Sequence, residues 1–213
     1  IGVSPQRVCD VRLFGIYAII DRATTPDPER LLEDILEAGV RLVQLRSKAG
    51  VDRDLVRALH RRTRPAGAQL IVNDDLEAAG DADGVHLGQA DLATVPGDLR
   101  AILGDRILGV SAGNLAELGA ALAAGPDYVG TGPFRATGSK ADAGGAIGVD
   151  GVTAVVRGSP VPVAAIGGIE LDDLAAIVRT GARMAAVIAA IARGPDRQAN
   201  ARALVERWQK LHT

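Results

Sequence analysis

Val72-Asn73-Asp74-Asp75 and Val85-His86-Leu87-Gly88-Gln89-Ala90-Asp91 share one pattern: a short apolar run that ends abruptly in polar side chains. Only a small Ala/Asp-rich segment separates them. Buried strands read this way, and parallel strands gather chemistry at their carboxyl ends. Taken as neighbouring parallel strands, the two runs bring Asp74 and Asp91 to one rim, within reach of a shared cation. A Mg²⁺-dependent enzyme is the first expectation.

Working outward, the same kind of run recurs at 13–21, 41–46, 69–74, 84–88, 106–112, 127–132, 161–168 and 183–191. Between most of these lie stretches with helical spacing. Leu31, Leu32, Ile35 and Leu36 mark one apolar face, and Leu55, Val56 and Leu59 a second. Leu171, Leu174 and Val178 mark a third, and Leu204, Val205, Trp208 and Leu211 the last. Gly39, Gly125 and Gly181 stand where helices should stop. Eight strands alternating with about eight helices predict an α/β fold, a single-domain (β/α)8 TIM barrel over 13–213 preceded by a tail over 1–12. An open doubly wound sheet is disfavoured, because Ile19-Ile20-Asp21-Arg22 stands where a Gly-x-Gly-x-x-Gly turn would follow the first strand.

Composition narrows the function. Hydrophobic residues make up 47% of the 213, enough for a large core, while aromatics are only 2%, which leaves few platforms for stacking bases. A net charge of −2 supplies no basic field for nucleic acid. The Arg61-Arg62-Thr63-Arg64 cluster reads as a solvated helix end. The single cysteine, Cys9, excludes an intrachain disulfide and a cysteine zinc site. No run reaches the ~18 apolar residues of a membrane span, so a soluble, cytoplasmic protein without membrane or nucleic-acid partners is expected. The chain opens on Ile1 rather than Met, so a missing or processed N-terminus is expected.

Three constellations carry chemistry. In Gln44-Leu45-Arg46-Ser47-Lys48, alternation sets Gln44 and Arg46 on one face, and the Arg fork with the mobile Lys48 suits phosphate oxygens. Asp74 and Asp91, with Asn73 beside them, read as protein ligands of Mg²⁺, which completes its shell with water and substrate phosphates. His86, inside an apolar run, reads as a hydrogen-bonded core histidine. Ala165-Ile166-Gly167-Gly168-Ile169 and Val187-Ile188-Ala189 occupy the loops after strands seven and eight, where barrels bind a phosphate through backbone N–H groups. The Gly-rich loop 133–148, with Thr137, Ser139, Lys140 and Asp142, is long for so economical a chain and reads as functional. A pyrophosphate with Mg²⁺ on one side of the mouth and a monophosphate on the other fit a reaction that joins two phosphorylated substrates.

These residues occur in an order that resembles the thiamine phosphate synthase family. The motifs are Gln44/Arg46/Lys48, Asn73-Asp74, Asp83 through Asp91, Gly109-Val110-Ser111, Gly130-Thr131-Gly132-Pro133, Thr137-Gly138-Ser139-Lys140 and Ala165 through Ile169. The resemblance covers about nine-tenths of the chain, from near Leu13 onward. It implies a transferase of thiamine biosynthesis that joins hydroxymethylpyrimidine pyrophosphate to a thiazole phosphate, giving thiamine phosphate and pyrophosphate by Mg²⁺-assisted, dissociative loss of pyrophosphate. It further implies Asp74 and Asp91 as metal ligands, and Arg46, Lys48, Ser111 and Lys140 as the catalytic grip on pyrophosphate and pyrimidine. Substrate contacts are expected along Gln44, Leu45, Arg46, Ser47 and Lys48 and at Asn73 and Ser111. Thr137, Gly138, Ser139, Gly168, Ile188 and Ala189 are expected around the thiazole phosphate. A homodimer is compatible with the resemblance.

The chain departs from the family pattern at Ser47, where Glu is usual, and at Ala112-Gly113, in place of Thr-His. Ser139 replaces a Thr, and Ala189 a phosphate-binding Ser. Weaker affinity for the thiazole phosphate is expected from Ala189. The rival readings are a thiazole tautomerase-type relative, a catalytically idle ligand-binding barrel and a sugar-phosphate isomerase. Only His60, His86 and His212 could serve a tautomerase as its histidine acid–base group, and none lies in the expected site loops.

Overall fold

Eight parallel strands pair in chain order and close into one barrel in the computed structural model, which describes residues 13–95, 97–137 and 145–213. They are β1 (Gly15–Asp21), β2 (Leu42–Arg46), β3 (Gln69–Asn73), β4 (Gly84–Leu87), β5 (Ile107–Ser111), β6 (Tyr128–Thr131), β7 (Val163–Ile166) and β8 (Met184–Val187). Each lies inside its expected segment. The seam is the β1–β8 pair, in register from Gly15 opposite Met184 to Ala18 opposite Val187.

Because strand side chains alternate, one sequence builds two cores. Tyr17, Ile19, Leu42, Ile71, Tyr128, Ala164, Met184 and Ala186 point inward and fill the barrel. The opposite phase, including Ile20, Val43, Leu45, Leu70 and Val72, packs outward against helices. On the far side Val85, Leu87, Leu108, Val110 and Val129 do the same. Gly84 is required for close strand approach: a Cβ there would lie 2.2 Å from the carbonyl oxygen of Ile107 on β5.

The outer ring comprises α1 (Pro28–Glu37), α2 (Arg53–Thr63), α3 (Gln89–Thr94), α4 (Leu99–Leu103), α5 (Leu115–Ala123), α6 (Gly148–Gly158), α7 (Leu174–Thr180), α8 (Ala189–Ala192) and α9 (Arg197–Lys210). Their starts follow the chemistry of orphan amides. Asp27 accepts from the Arg30 N–H at 2.9 Å with Pro28 opening α1, and Asp52 accepts from Asp54 at the head of α2. Asn114 accepts from Glu117, whose own carboxylate returns to the Gly113 N–H at 2.7 Å. Leu31, Leu32 and Ile35 form the buried stripe of α1, each worth about 1.5–3 kcal/mol relative to exposure. Gly39, Gly125 and Gly181 all carry positive φ at helix ends, as expected.

Three expectations need correction. The crossover from β3 to β4 contains a 3₁₀ turn, Ala78–Asp81, in place of an α-helix. Arg53 (2.7 Å) and Arg57 (3.2 Å) from α2 hold Asp81 and pin that turn. The eighth strand ends at Val187, and α8 begins at Ala189 where strand was expected to run on. Leu171 stands 39% exposed in a second 3₁₀ turn, Leu171–Asp173, so the buried stripe of α7 is Leu174 and Ile177 instead. Among the described residues no helix is long and apolar enough to cross a membrane.

Gly119 lies exposed in mid α5, and a Cβ there would meet nothing within 4 Å. Gly119→Ala should therefore stabilise the protein by about 0.5–1 kcal/mol, by helix propensity alone. A chemical denaturation curve with an unmoved or lowered midpoint would contradict this.

Candidate active site at the barrel mouth

The inward phase continues to the carboxyl ends of the strands and delivers Asp21, Arg46, Asn73 and Ser111 to one rim. Arg46 is ion-paired with the buried Asp21 across the β1–β2 register pair. Asp21 thereby anchors one nitrogen of the guanidinium at the mouth. Lys48 is exposed beyond the end of β2, and Ser47 lines a cavity of about 370 Å³ together with Asn73, Asp74, Asp91 and Thr94. Leu45 is on the outward phase, wholly buried against the helix layer, so its side chain takes no part in the mouth.

Asp74 follows β3 with φ +61°, a left-handed conformation that Asp tolerates better than most residues. Its N–H donates to the His86 carbonyl at 2.9 Å, and its Oδ1 accepts from the Gly88 N–H at 3.2 Å. Asp91, in the first turn of α3, approaches Gly88 as well: a Cβ on Gly88 would lie 2.8 Å from Asp91 Oδ2. Asp91 lies near enough for its charge to act on the Asp74 carboxyl, and Asn73 Nδ2 donates to Asp74 Oδ2. Partial burial and then the Asp91 charge push the Asp74 carboxyl above the ordinary range, against the pull of the Gly88 amide. Two carboxylates forced together in this way fit a hard divalent cation, which would neutralise both. Among the described residues no group of three His, Cys, Asp or Glu side chains is placed to hold a metal ion.

A chain of hydrogen bonds crosses the barrel beneath this rim. Gln44 Nε2 donates to the Tyr17 hydroxyl at 2.8 Å, Tyr17 meets Tyr128 at 2.7 Å, Tyr128 meets His86 Nδ1 at 3.0 Å, and His86 Nε2 meets Ser111 Oγ at 2.9 Å. Two glycines make room for it. A Cβ on Gly109 would lie 2.4 Å from the Tyr128 hydroxyl and 2.5 Å from His86 Nδ1, and one on Gly130 would lie 3.0 Å from His86 Cε1. Gln89 Nε2 braces the end of β5 by donating to the Ser111 carbonyl at 2.5 Å.

Opposite the acidic pair, the loop after β7 carries Gly167 (φ +98°) and Gly168 (φ +65°). It is tied to the loop after β6 by Phe134 N–H to Ile166 O (2.7 Å) and Arg135 N–H to Gly167 O (2.9 Å). Arg135 also reaches the buried carboxylate of Asp173, which in turn accepts from the Glu170 N–H at 3.0 Å. Ile188 precedes α8 and Ala189 opens it, so both expected backbone donors lie at a helix start beside the glycine loop's own strand. Thr137 stands at the edge of the described residues, and Gly138, Ser139, Lys140 and Asp142 lie outside them.

Sequence reasoning gave no role to Asp21, Tyr17, Tyr128 or Gln89. Asp21 and Tyr17 share the inward phase of β1, which alternation reveals, but their partners lie on other strands. The two tyrosines are the chain's only ones, and both are inward-facing polar rings, which adds to Gln44 and His86 as a sign that the interior is not wholly apolar.

A profile of the family described as thiamine monophosphate synthase matches residues 16–191. The chain is 45% identical over 200 residues to the thiamine-phosphate synthase of Azorhizobium caulinodans, covering 90% of this chain and 93% of that one. It is 48% identical over 175 residues to that of Xanthobacter autotrophicus, with 79% and 82% covered. Among solved structures, thiamine phosphate pyrophosphorylase from Pyrococcus furiosus superposes with a TM-score of 0.84 at 30% identity, over 95% of this chain and 98% of the other.

Proposed function

Since the chain belongs to the thiamine monophosphate synthase family and is a transferase of thiamine biosynthesis, we propose that it joins hydroxymethylpyrimidine pyrophosphate to a thiazole phosphate by dissociative displacement. The bond between the pyrimidine methylene and the bridging oxygen breaks, both electrons leaving with pyrophosphate. The thiazole nitrogen then gives its lone pair to the methylene carbon, and thiamine phosphate results. Charge builds on the departing pyrophosphate, so positioned cations and donors lower the barrier without any protein nucleophile.

In this reading Asp74 and Asp91 hold Mg²⁺, which supplies Lewis-acid neutralisation of the leaving group. Arg46, set by Asp21, presents its fork to the pyrophosphate, Lys48 adds a mobile charge, and Ser111 donates a hydrogen bond. Gln44 and Asn73 stand beside the pyrimidine. Lys140, with Thr137, Gly138 and Ser139, would act from the loop after β6. Backbone donors around Gly168, Ile188 and Ala189 would take the thiazole phosphate.

The observation that supports this most is the convergence of the Asp74 and Asp91 carboxyls on Gly88, beside a cavity reached by Ser47 and Asn73. The deciding experiment incubates the protein with both phosphorylated substrates, with Mg²⁺ and with a chelator, and assays thiamine phosphate. Product only with the cation is expected. No product, or equal product under chelation, would refute the reading.

The missing hydroxyl at Ala189 gives a separate expectation. Ala189→Ser should lower the KM for the thiazole phosphate about tenfold, the effect of one added hydrogen bond to a charged oxygen, with little change in kcat. Steady-state kinetics at saturating pyrimidine substrate measure it, and an unchanged KM would contradict it.

A further inference from the structure

We infer that the buried chain from Gln44 through Tyr17, Tyr128 and His86 to Ser111 is polarised in one direction, fixing His86 as its Nε2–H tautomer so that the Ser111 hydroxyl proton points into the mouth. His86 is then a positioning residue for Ser111, acting through it and not on substrate. That Ser111 meets an anionic group rests on the reaction proposed above; the tautomer does not.

The polarity follows from counting protons. An amide nitrogen only donates, so Gln44 Nε2 gives its hydrogen to the Tyr17 oxygen. Tyr17 is fully buried and, among the described residues, its hydroxyl has just Gln44 and Tyr128 as partners. Its single proton therefore goes to Tyr128, since a buried hydroxyl proton without an acceptor is costly. Tyr128 has then accepted once, and its own proton goes to His86 Nδ1. A neutral imidazole that accepts at Nδ1 carries its hydrogen on Nε2, which faces Ser111 Oγ at 2.9 Å. Ser111 accepts there, leaving its hydroxyl hydrogen for a group in the mouth. Burial makes both tyrosine hydroxyls far weaker acids than an exposed phenol, so each keeps the proton that this count assigns to it.

The arrangement is built and not incidental. Four strands contribute side chains to it besides β5: Tyr17 from β1, Gln44 from β2, His86 from β4 and Tyr128 from β6. Gly109 and Gly130 leave the space that any side chain would occupy. The chain also links Gln44 on β2 to Ser111 on β5, three strands apart, so the orientation of one buried amide sets the direction of a hydroxyl at the rim.

Nitrogen-15 NMR of histidine-labelled protein reads the tautomer directly, with only His60, His86 and His212 to assign. His60→Gln and His212→Gln variants identify the His86 signals without touching the chain. A proton on Nε2 and none on Nδ1 is expected; a proton on Nδ1 overturns the inference. Kinetics supply the second arm. His86→Asn keeps an acceptor near the Nδ1 position for Tyr128 but removes the donor to Ser111. It should lower kcat about five- to tenfold while KM changes little, the loss of one positioning hydrogen bond. Combined with Ser111→Ala it should cost no more than Ser111→Ala alone, whereas additive losses would overturn the positioning role. If the parent protein forms no thiamine phosphate, the proposed reaction fails, and the NMR result still decides the tautomer.

Discussion

Asp91→Asn should lower the rate of thiamine phosphate formation by about 10²- to 10³-fold at saturating substrates, and Asp74→Asn by as much, because in the proposed reaction several kcal/mol of leaving-group stabilisation depend on the cation they would hold. Asn is the informative replacement at position 74, since it tolerates the left-handed backbone at φ +61° and removes only charge. The same variant should melt higher than the parent in the presence of chelator. Folding raises the proton affinity of Asp74, first through desolvation and then through Asp91. Its stabilising contribution is therefore complete below the ordinary carboxylate range and is lost as pH rises through the elevated value. At neutral pH the ionised pair burdens the fold, and Asp74→Asn relieves it; the advantage should shrink as pH falls into the carboxylate range. Added Mg²⁺ should raise the melting temperature of the parent and leave the variant unmoved. A variant that melts below the parent under chelation, or retains its turnover, would refute the assignment.

Gly109→Ala should lower both stability and turnover, for a steric reason. The new methyl would sit 2.2 Å from Tyr128 Cζ and 2.5 Å from His86 Nδ1, both ring atoms in a filled interior. Neither ring can retreat without breaking the hydrogen-bonded chain. Overpacking of this kind costs about 1–3 kcal/mol, visible as a lowered urea midpoint, and turnover should fall by at least the loss predicted for His86→Asn. Gly119→Ala serves as the contrast, since it adds the same methyl to open space. Equal stability and turnover in Gly109→Ala and parent would show that the rings do not occupy this position.

Strand positions were legible because each inward or outward phase is a run of Val, Leu, Ile and Ala bounded by Gly or charged residues. The end of β8 was not: Val187-Ile188-Ala189-Ala190-Ile191 is unbroken apolar sequence, and strand cannot be told from buried helical turn without periodicity. The 3₁₀ turn between β3 and β4 had no positive signal either, since residues 78–81 are Ala-Ala-Gly-Asp and show no apolar stripe. At the site, Asp74 and Asp91 were readable because both follow strand ends that are neighbours in sequence. The Arg46–Asp21 pair and the chain through Tyr17 and Tyr128 were not, because which inward side chains touch across the barrel depends on strand stagger and side-chain reach, quantities that a single strand's pattern does not carry. Leu45 illustrates the converse, for its alternation already set it on the helix side although it lies within the Gln-x-Arg-x-Lys motif.

The abbreviated link between β3 and β4 bears on how the chain assembles. Only residues 74–83 lie between these strands, so bringing them side by side forfeits little chain entropy, whereas the seam must unite residues 15 and 184. Pairing across such a short span is kinetically favoured over pairing of distant segments. The acidic half of the mouth therefore belongs to a sequence-local unit able to form early, and cylinder closure at the opposite end of the chain comes later. A circular permutation that joins the present termini and opens the chain between β5 and β6 would leave Asp74 and Asp91 in one uninterrupted piece of chain.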